Sequence, residues 1–434
     1  MNAINMVDIM KKKTVEIKPG IKLHSIKTEH FKTNLVCVII TTPLKEETIT
    51  KNALIPFVLR RGTSEFDNQI KLNSKLEKLY GANFDCGIDK IGDNHVLKFY
   101  IESIDNYYAF YEEDVLLEYM ELLLQIVFDP YKVNNYFEKS YVDIEKETLR
   151  KVIESKIDDK DAYAVSQCVS HMYDKKGYGL YKYGDVNYID EIDEKNLTDY
   201  YDELIKNCKI DLYISGNFDE DKFKCKLNEN KIIKELIPRV EGYILNNEYT
   251  ESKQIVEKYK EITENMDVTQ GKIIMGLDVL SKQDNLQATA LVFNAILGDG
   301  ASSMLFQNVR EKAGLAYSTK SSYVKAKANI FIRCGIQIEN YEKAKGLIFE
   351  QLENLKQGKF IDEEIKNAKT FLVSGIKNIE EEQDSEVVYY IGQELAKTNR
   401  SIDEYVTMIN KVTKENIIEL AKTVQINTVY FLRD

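Results

Sequence analysis

Only four histidines occur in 434 residues, and that scarcity is the first constraint on function. His24, His30, His95 and His171 include no pair one helical turn apart, and none lies in an H-x-x-E-H or H-E-x-x-H frame. A zinc site built from a local histidine pair is therefore excluded, and His95 and His171 are expected in surface or capping roles. The six cysteines include no C-x-x-C pair, which removes the usual structural-zinc and thioredoxin-type readings and leaves them as reduced packing residues. Proline is rare, at 5 residues, and 44% hydrophobic with 30% charged residues suits an ordinary globular chain rather than a disordered one. Long apolar runs are missing too. "LVCVII", Leu35 to Ile40, is far too short to cross a bilayer. The N-terminal "MNAINMVDIMKKKTVEIKPG" has a Lys cluster but no apolar stretch fit for a signal peptide, so a cytoplasmic location without a membrane partner is expected. A formal net charge of -12 with no basic block argues against nucleic-acid binding and makes a peptide of basic character the more natural guest.

What is present is a plan used twice. In the first half a glycine turn at Gly81 leads into a strand in which Leu97, Phe99 and Ile101 alternate with Lys98, Tyr100 and Glu102. In the second half Gly314 takes the place of Gly81, and Ile330, Ile332, Cys334, Ile336 and Ile338 share one strand face. An amphipathic helix follows each strand. It is read over 113–128 through Leu116, Tyr119, Met120, Leu123 and Val127, and over 342–356 through Ala344, Leu347, Ile348, Leu352 and Leu355. Each half then runs through a long charged helix and closes on a short strand, "KIDLYISG" or "NTVYFLRD". The expected class is α+β, with two homologous α/β sandwich domains, each a mostly antiparallel sheet with helices on one face. Residues 1–225 form the first, 226–266 the polar connector and 267–434 the second.

The segment "NAILGDGASSMLFQNVREKAGLAYS" closely resembles the second-domain signature of the pitrilysin and mitochondrial processing peptidase superfamily, zinc peptidases with an inverted H-x-x-E-H motif. The resemblance implies that Arg310 and Tyr317 bind the substrate backbone near the scissile bond, and that the loop from Gly298 to Gly300 approaches the substrate. The side chains suit those tasks: a guanidinium forks toward a carboxylate or carbonyl, and a phenol can direct one hydrogen bond to an oxyanion.

The metal half of the motif is degenerate. In "NALIPFVLRRGTSEF", Ala53, Pro56 and Phe57 occupy the places of the first histidine, the base glutamate and the second histidine. None of them can bind zinc or deprotonate a water, and Pro56 is expected to weaken or kink the helix. The resemblance further implies a third ligand on the helix near "IEKETLRKVIESK", where Glu145, Glu147 and Glu154 are available without a fixed register. The chain is thus expected to carry no cofactor. In several bacterial members two subunits share the work, which implies a zinc-bearing partner, a peptide substrate, and a possible homodimer when the chain is isolated. The alternative is a catalytically inert peptidase-like scaffold.

Overall fold

The alternation read along the two repeats becomes two mixed sheets in the computed structural model, which describes residues 12–110, 114–238, 257–281 and 285–434. The first half of the chain forms β1 (Lys12–Lys18), β2 (Ile21–Lys27), β3 (Thr33–Pro43), α1 (Glu46–Leu59), α2 (Gln69–Lys78), β4 (Asn83–Ile91), β5 (Asn94–Ile104) and α3 (Val115–Phe128). There follow a short pair, β6 (Lys132–Val133) and β7 (Tyr136–Phe137), then α4 (Lys139–Glu154), α5 (Lys160–Met172), α6 (Glu194–Asn207), β8 (Lys209–Gly216), α7 (Glu220–Glu229) and α8 (Lys231–Glu235). The second half forms β9 (Lys260–Asn265), β10 (Gly271–Val279), α9 (Leu286–Leu297), β11 (Ala316–Val324), β12 (Asn329–Ile336), α10 (Tyr341–Lys356) and α11 (Asp362–Lys377). It ends with α12 (Gln383–Leu395), α13 (Ile402–Asn410), α14 (Lys414–Thr423) and β13 (Val424–Arg433).

Strand order is β1-β2-β8-β3-β5-β4 in the first sheet and β11-β12-β10-β13-β9 in the second. Both are antiparallel apart from one parallel pair each, β2 with β8 and β13 with β9. The α+β class therefore holds, and the repeat is visible in detail. Gly81 and Gly314 both take the left-handed conformation, at φ 69° and 63°, before the hairpins β4–β5 and β11–β12. Only glycine reaches that region at little cost. Ile338 falls just beyond β12, in a short 3-10 turn.

Two compact units are built around these sheets, and they do not follow the order of the chain. Among the described residues, the first unit takes those up to Glu154, 182–238 and Glu381–Leu395, and the second takes 155–181, 257–380 and 396–434. Helix α5 thus belongs to the second unit, burying Ala164, Cys168, Val169 and Met172 beside Ile274, Phe331 and Tyr430. Helix α12 belongs to the first, burying Val387, Tyr390, Ile391 and Leu395 beside Ile26, Cys37, Ile39 and Tyr213. In each case apolar residues at three- and four-residue spacing cover the sheet face opposite the main helical layer. Helices therefore lie on both faces, not only on the one expected. Of residues 226–266, expected as a connector, the flanks carry the end of α7, α8 and β9, and 239–256 lie outside the described residues.

The α12 face is fastened by charge as well as by hydrocarbon. Glu394 accepts from Lys22 at 2.7 Å and from Lys209 at 3.0 Å. Burial alone would raise the Glu394 carboxyl, but the ammonium groups of Lys209 and Lys22 overcome it and hold it down at about 2. A folded pKa below the unfolded one gives stability that is present above roughly pH 4.5 and lost as pH falls toward 2. Glu394→Gln is therefore expected to lower stability at neutral pH by roughly 1–3 kcal/mol. In urea titrations the gap from wild type should shrink as pH falls below 4.5; a gap independent of pH would show that the carboxylate charge contributes nothing.

Candidate functional site

Positions 53, 56 and 57 lie on α1, where hydrocarbon fills the space that ligands would need. Ala53 and Pro56 are buried, and Phe57 packs half-buried on the same core. Pro56 does not end the helix, which runs on to Leu59 and closes with the Arg60 N–H donating to the Pro56 carbonyl at 3.3 Å. From β4, the Cys86 thiol donates to that same carbonyl at 3.4 Å, and burial pushes this thiol up to about 12, so it offers no thiolate. A zinc ion does not fit these residues.

Burial distinguishes one of the three glutamates in the stretch expected to supply a third ligand. Glu147 and Glu154 are exposed on α4, whereas Glu145 is buried. Its partner is Arg61, one residue beyond the cap of α1: Nε donates to Glu145 Oε1 at 2.5 Å and Nη2 reaches the same oxygen. Nη1 donates to Gln69 Oε1 at 3.4 Å. A buried carboxylate needs a cation, and here a guanidinium supplies it. The degenerate site is thus closed twice, by apolar residues on α1 and by a fixed positive charge on the one buried glutamate of the three.

Sequence reading missed one group of candidate ligands. Among the described residues, His24, Asp211 and Glu394 bring one potential ligand atom each within 4.8 Å of one another. They come from β2, β8 and α12, so sequence spacing gives no hint of it. His24 Nε2 lies 3.0 Å from Asp211 Oδ1, its Nδ1 lies 2.9 Å from Thr14 Oγ1, and its ring stacks on Tyr213. The cation position is already filled from within: Lys209 Nζ sits 2.9 Å from Asp211 and 3.0 Å from Glu394. With Lys22 also on Glu394, the cluster is a closed ion-pair network and not an open set of donors. His95, expected at the surface, is in fact buried in β5, and burial lowers its pKa to about 4, so it stays neutral. The strand register explains this: His95 stands between Thr42 of β3 and Lys90 of β4, inside the sheet.

Arg310 and Tyr317 stand in the second unit on two local irregularities. Residues Phe306–Lys312 form a π-helix, a rare conformation that recurs at functional positions, and Gly314 ends it. Its guanidinium lies 4.8 Å from the Phe306 ring centroid and 3.7 Å from the Glu311 carboxylate, and the side chain is 43% exposed. The π-helix packs on β11, an edge strand. There the register shifts between Ala316 and Ser318, leaving Tyr317 as the unmatched residue of a bulge. Bulges re-aim side chains, and Tyr317 is 52% exposed, its hydroxyl accepting, among the described residues, a long 3.3 Å bond from Gln337.

The two glycines of the neighbouring loop have backbone reasons to be glycine. A Cβ on Gly298 would lie 2.7 Å from Ser321 Oγ and 2.8 Å from Leu305, and Gly300 has φ +113°. The Gly298 carbonyl accepts from the Ser321 N–H at 2.8 Å, which fixes this loop against β11.

Known proteins resemble this chain along most of its length. The family description "Peptidase M16 inactive domain" matches residues 191–372. The probable inactive metalloprotease YmfF of Bacillus subtilis is 31% identical over 415 residues, spanning 95% of this chain and 96% of its own. The uncharacterized zinc protease YmxG of the same organism is 26% identical over 166 residues, 38% of this chain and 41% of its own. The crystal structure of a conserved protein from Enterococcus faecalis V583 superposes with a TM-score of 0.89 at 27% identity, covering 98% of both chains. Related along nearly its whole length to a protein named as a probable inactive metalloprotease, the chain belongs to the peptidase M16 family as one of its inactive homologues.

Proposed function

We propose that the chain is the substrate-gripping, non-hydrolysing subunit of a heterodimeric M16 peptidase, contributing Arg310 and Tyr317 while a zinc-motif partner performs the cleavage. The observation that carries this reading is the coincidence of both residues with backbone irregularities that leave them exposed: a π-helix under Arg310 and a bulge at Tyr317. A side chain kept only for packing needs neither. The outward guanidinium hydrogen-bonds a backbone carbonyl of the peptide, and the phenol O–H steadies the oxygen on which charge develops. The loop of Gly298 and Gly300, bonded to β11, borders the same strand. Such donors need not sit on the chain that holds the metal, because orientation and electrostatic stabilisation act across a shared site.

The alternative, an inert scaffold, predicts a different result in one experiment. The chain and a same-genome M16 protein with an intact H-x-x-E-H motif are purified apart and mixed over a fluorogenic peptide library. Cleavage is expected only in the mixture. A stable complex that cleaves nothing, or a partner equally active alone, would favour the scaffold.

A further inference from the structure

The first unit carries an exposed aromatic cluster that the proposed peptidase role does not use. Tyr107 is 84% exposed, Phe110 72% and Tyr108 46%, all in the turn between β5 and α3. These rings are held in place. The Asp105 carboxylate accepts from the Tyr107 N–H at 2.8 Å, which fixes the 3-10 turn 106–108, and Asn106 ties that turn to Asp114 at 2.9 Å and to the Leu116 N–H at 3.0 Å. Tyr107 and Tyr108 meet edge to face, and Phe110 stacks on Tyr80 with centroids 6.1 Å apart. Tyr80 sits in the left-handed region, at φ 61°, where a bulky side chain is strained, and its hydroxyl is bonded to the Phe110 backbone at 2.9 and 3.1 Å. Ordered rings left in water on one turn are unusual on a monomer surface and typical of contact sites.

The same turn borders a concavity of about 590 Å³ through Asn106, whose lining includes Leu116, Phe218 and Phe223. Its rim holds four carboxylates, Asp114, Asp219, Glu220 and Asp221, against two ammonium groups, Lys27 and Lys222. Lys222 pairs with Asp114 at 3.0 Å, and Glu220 is taken by Lys13 at 2.7 Å. Asp219 caps α7 and is exposed, as is Asp221, and neither has a lysine or arginine within ion-pair distance among the described residues.

We infer that this face is a docking surface for a basic protein segment, which lays an apolar side chain among Tyr107, Tyr108 and Phe110 and a lysine or arginine beside Asp219 and Asp221. The rings supply the affinity and the carboxylates the sign selectivity. The surplus of negative charge selects against anionic bilayers, the other common partner of exposed aromatic turns.

The test uses fluorescence anisotropy of two labelled amphipathic peptides of equal length, one alternating lysine and leucine, the other glutamate and leucine. The full chain is expected to bind the lysine peptide and not the glutamate one. Tyr107→Ser with Phe110→Ser should weaken binding about ten-fold or more, and Asp221→Lys should weaken it further as salt is lowered. All three replacements are at exposed side chains, and unchanged melting checks that the fold is intact. Equal binding of both peptides, undiminished affinity in the serine double variant, co-sedimentation of the chain with phosphatidylglycerol vesicles, or an aromatic-dependent self-association in ultracentrifugation would each overturn the assignment.

Discussion

Arg61→Ala is expected to destabilise the first unit by roughly 3–5 kcal/mol, lowering its melting temperature on the order of 10 °C, because it strands Glu145 as a buried carboxylate without a counter-charge. The cost belongs to the unpaired charge more than to the lost contact. Arg61→Ala combined with Glu145→Gln should therefore recover much of the loss, since an under-bonded amide costs only about 1–3 kcal/mol. Arg61→Lys should fall between, as one ammonium cannot reproduce a fork that reaches both Glu145 and Gln69. If Arg61→Ala stayed within about 0.5 kcal/mol of wild type, the pair would be an ordinary surface bridge and the charge-replacement reading would fail.

The second large effect concerns turnover. In an active mixture with a zinc-motif partner, Arg310→Ala should lower kcat/KM by about 10- to 100-fold, since a charge-assisted hydrogen bond to the peptide carbonyl is worth about 1.5–3 kcal/mol. Folding should be untouched, because the guanidinium is 43% exposed and the Glu311 carboxylate beside it lies 3.7 Å away. Tyr317→Phe separates two roles of the tyrosine. It keeps the ring on its bulge and removes only the O–H, so a kcat loss with unchanged KM points to oxyanion stabilisation. Unchanged rates in both variants would return Arg310 and Tyr317 to surface residues of a folding motif.

Much of the architecture was legible in the sequence because it depends on local period. The buried face of β5 and its counterpart on β12 follow from strict alternation, and both hairpins are announced by a glycine at positive φ. That Ala53, Pro56 and Phe57 offer no zinc ligand is equally plain in the sequence, since none carries a donor atom for the metal. What stayed hidden depends on which distant surfaces meet. The apolar stripe Val387, Tyr390, Ile391, Leu395 is readable as a helix face, yet nothing in it says that the face covers strands of the first half. Glu145, Glu147 and Glu154 are alike as residues on a charged helix, and only the nearness of Arg61 distinguishes one of them. His24 and Asp211 are 187 positions apart and become neighbours only through the parallel pairing of β2 with β8. The burial of His95 escapes the sequence for a related reason: a histidine at the start of a strand is usually half in water, but here strands on both sides enclose it.

The family relationship also sets the position of the chain among its relatives. A match along nearly the whole chain to a protein named as a probable inactive metalloprotease, beside a partial match to one named as a zinc protease, places the chain with the inactive members of the family. In this chain the buried Glu145 carboxylate is balanced by the Arg61 guanidinium.

The most direct measurement is metal content. The purified chain is incubated with excess zinc, dialysed exhaustively and analysed by inductively coupled plasma mass spectrometry, with the same sample tested for peptide hydrolysis. Zinc far below one ion per chain and no hydrolysis are the predicted result. One tightly held zinc per chain, together with hydrolysis that a chelator abolishes, would contradict it.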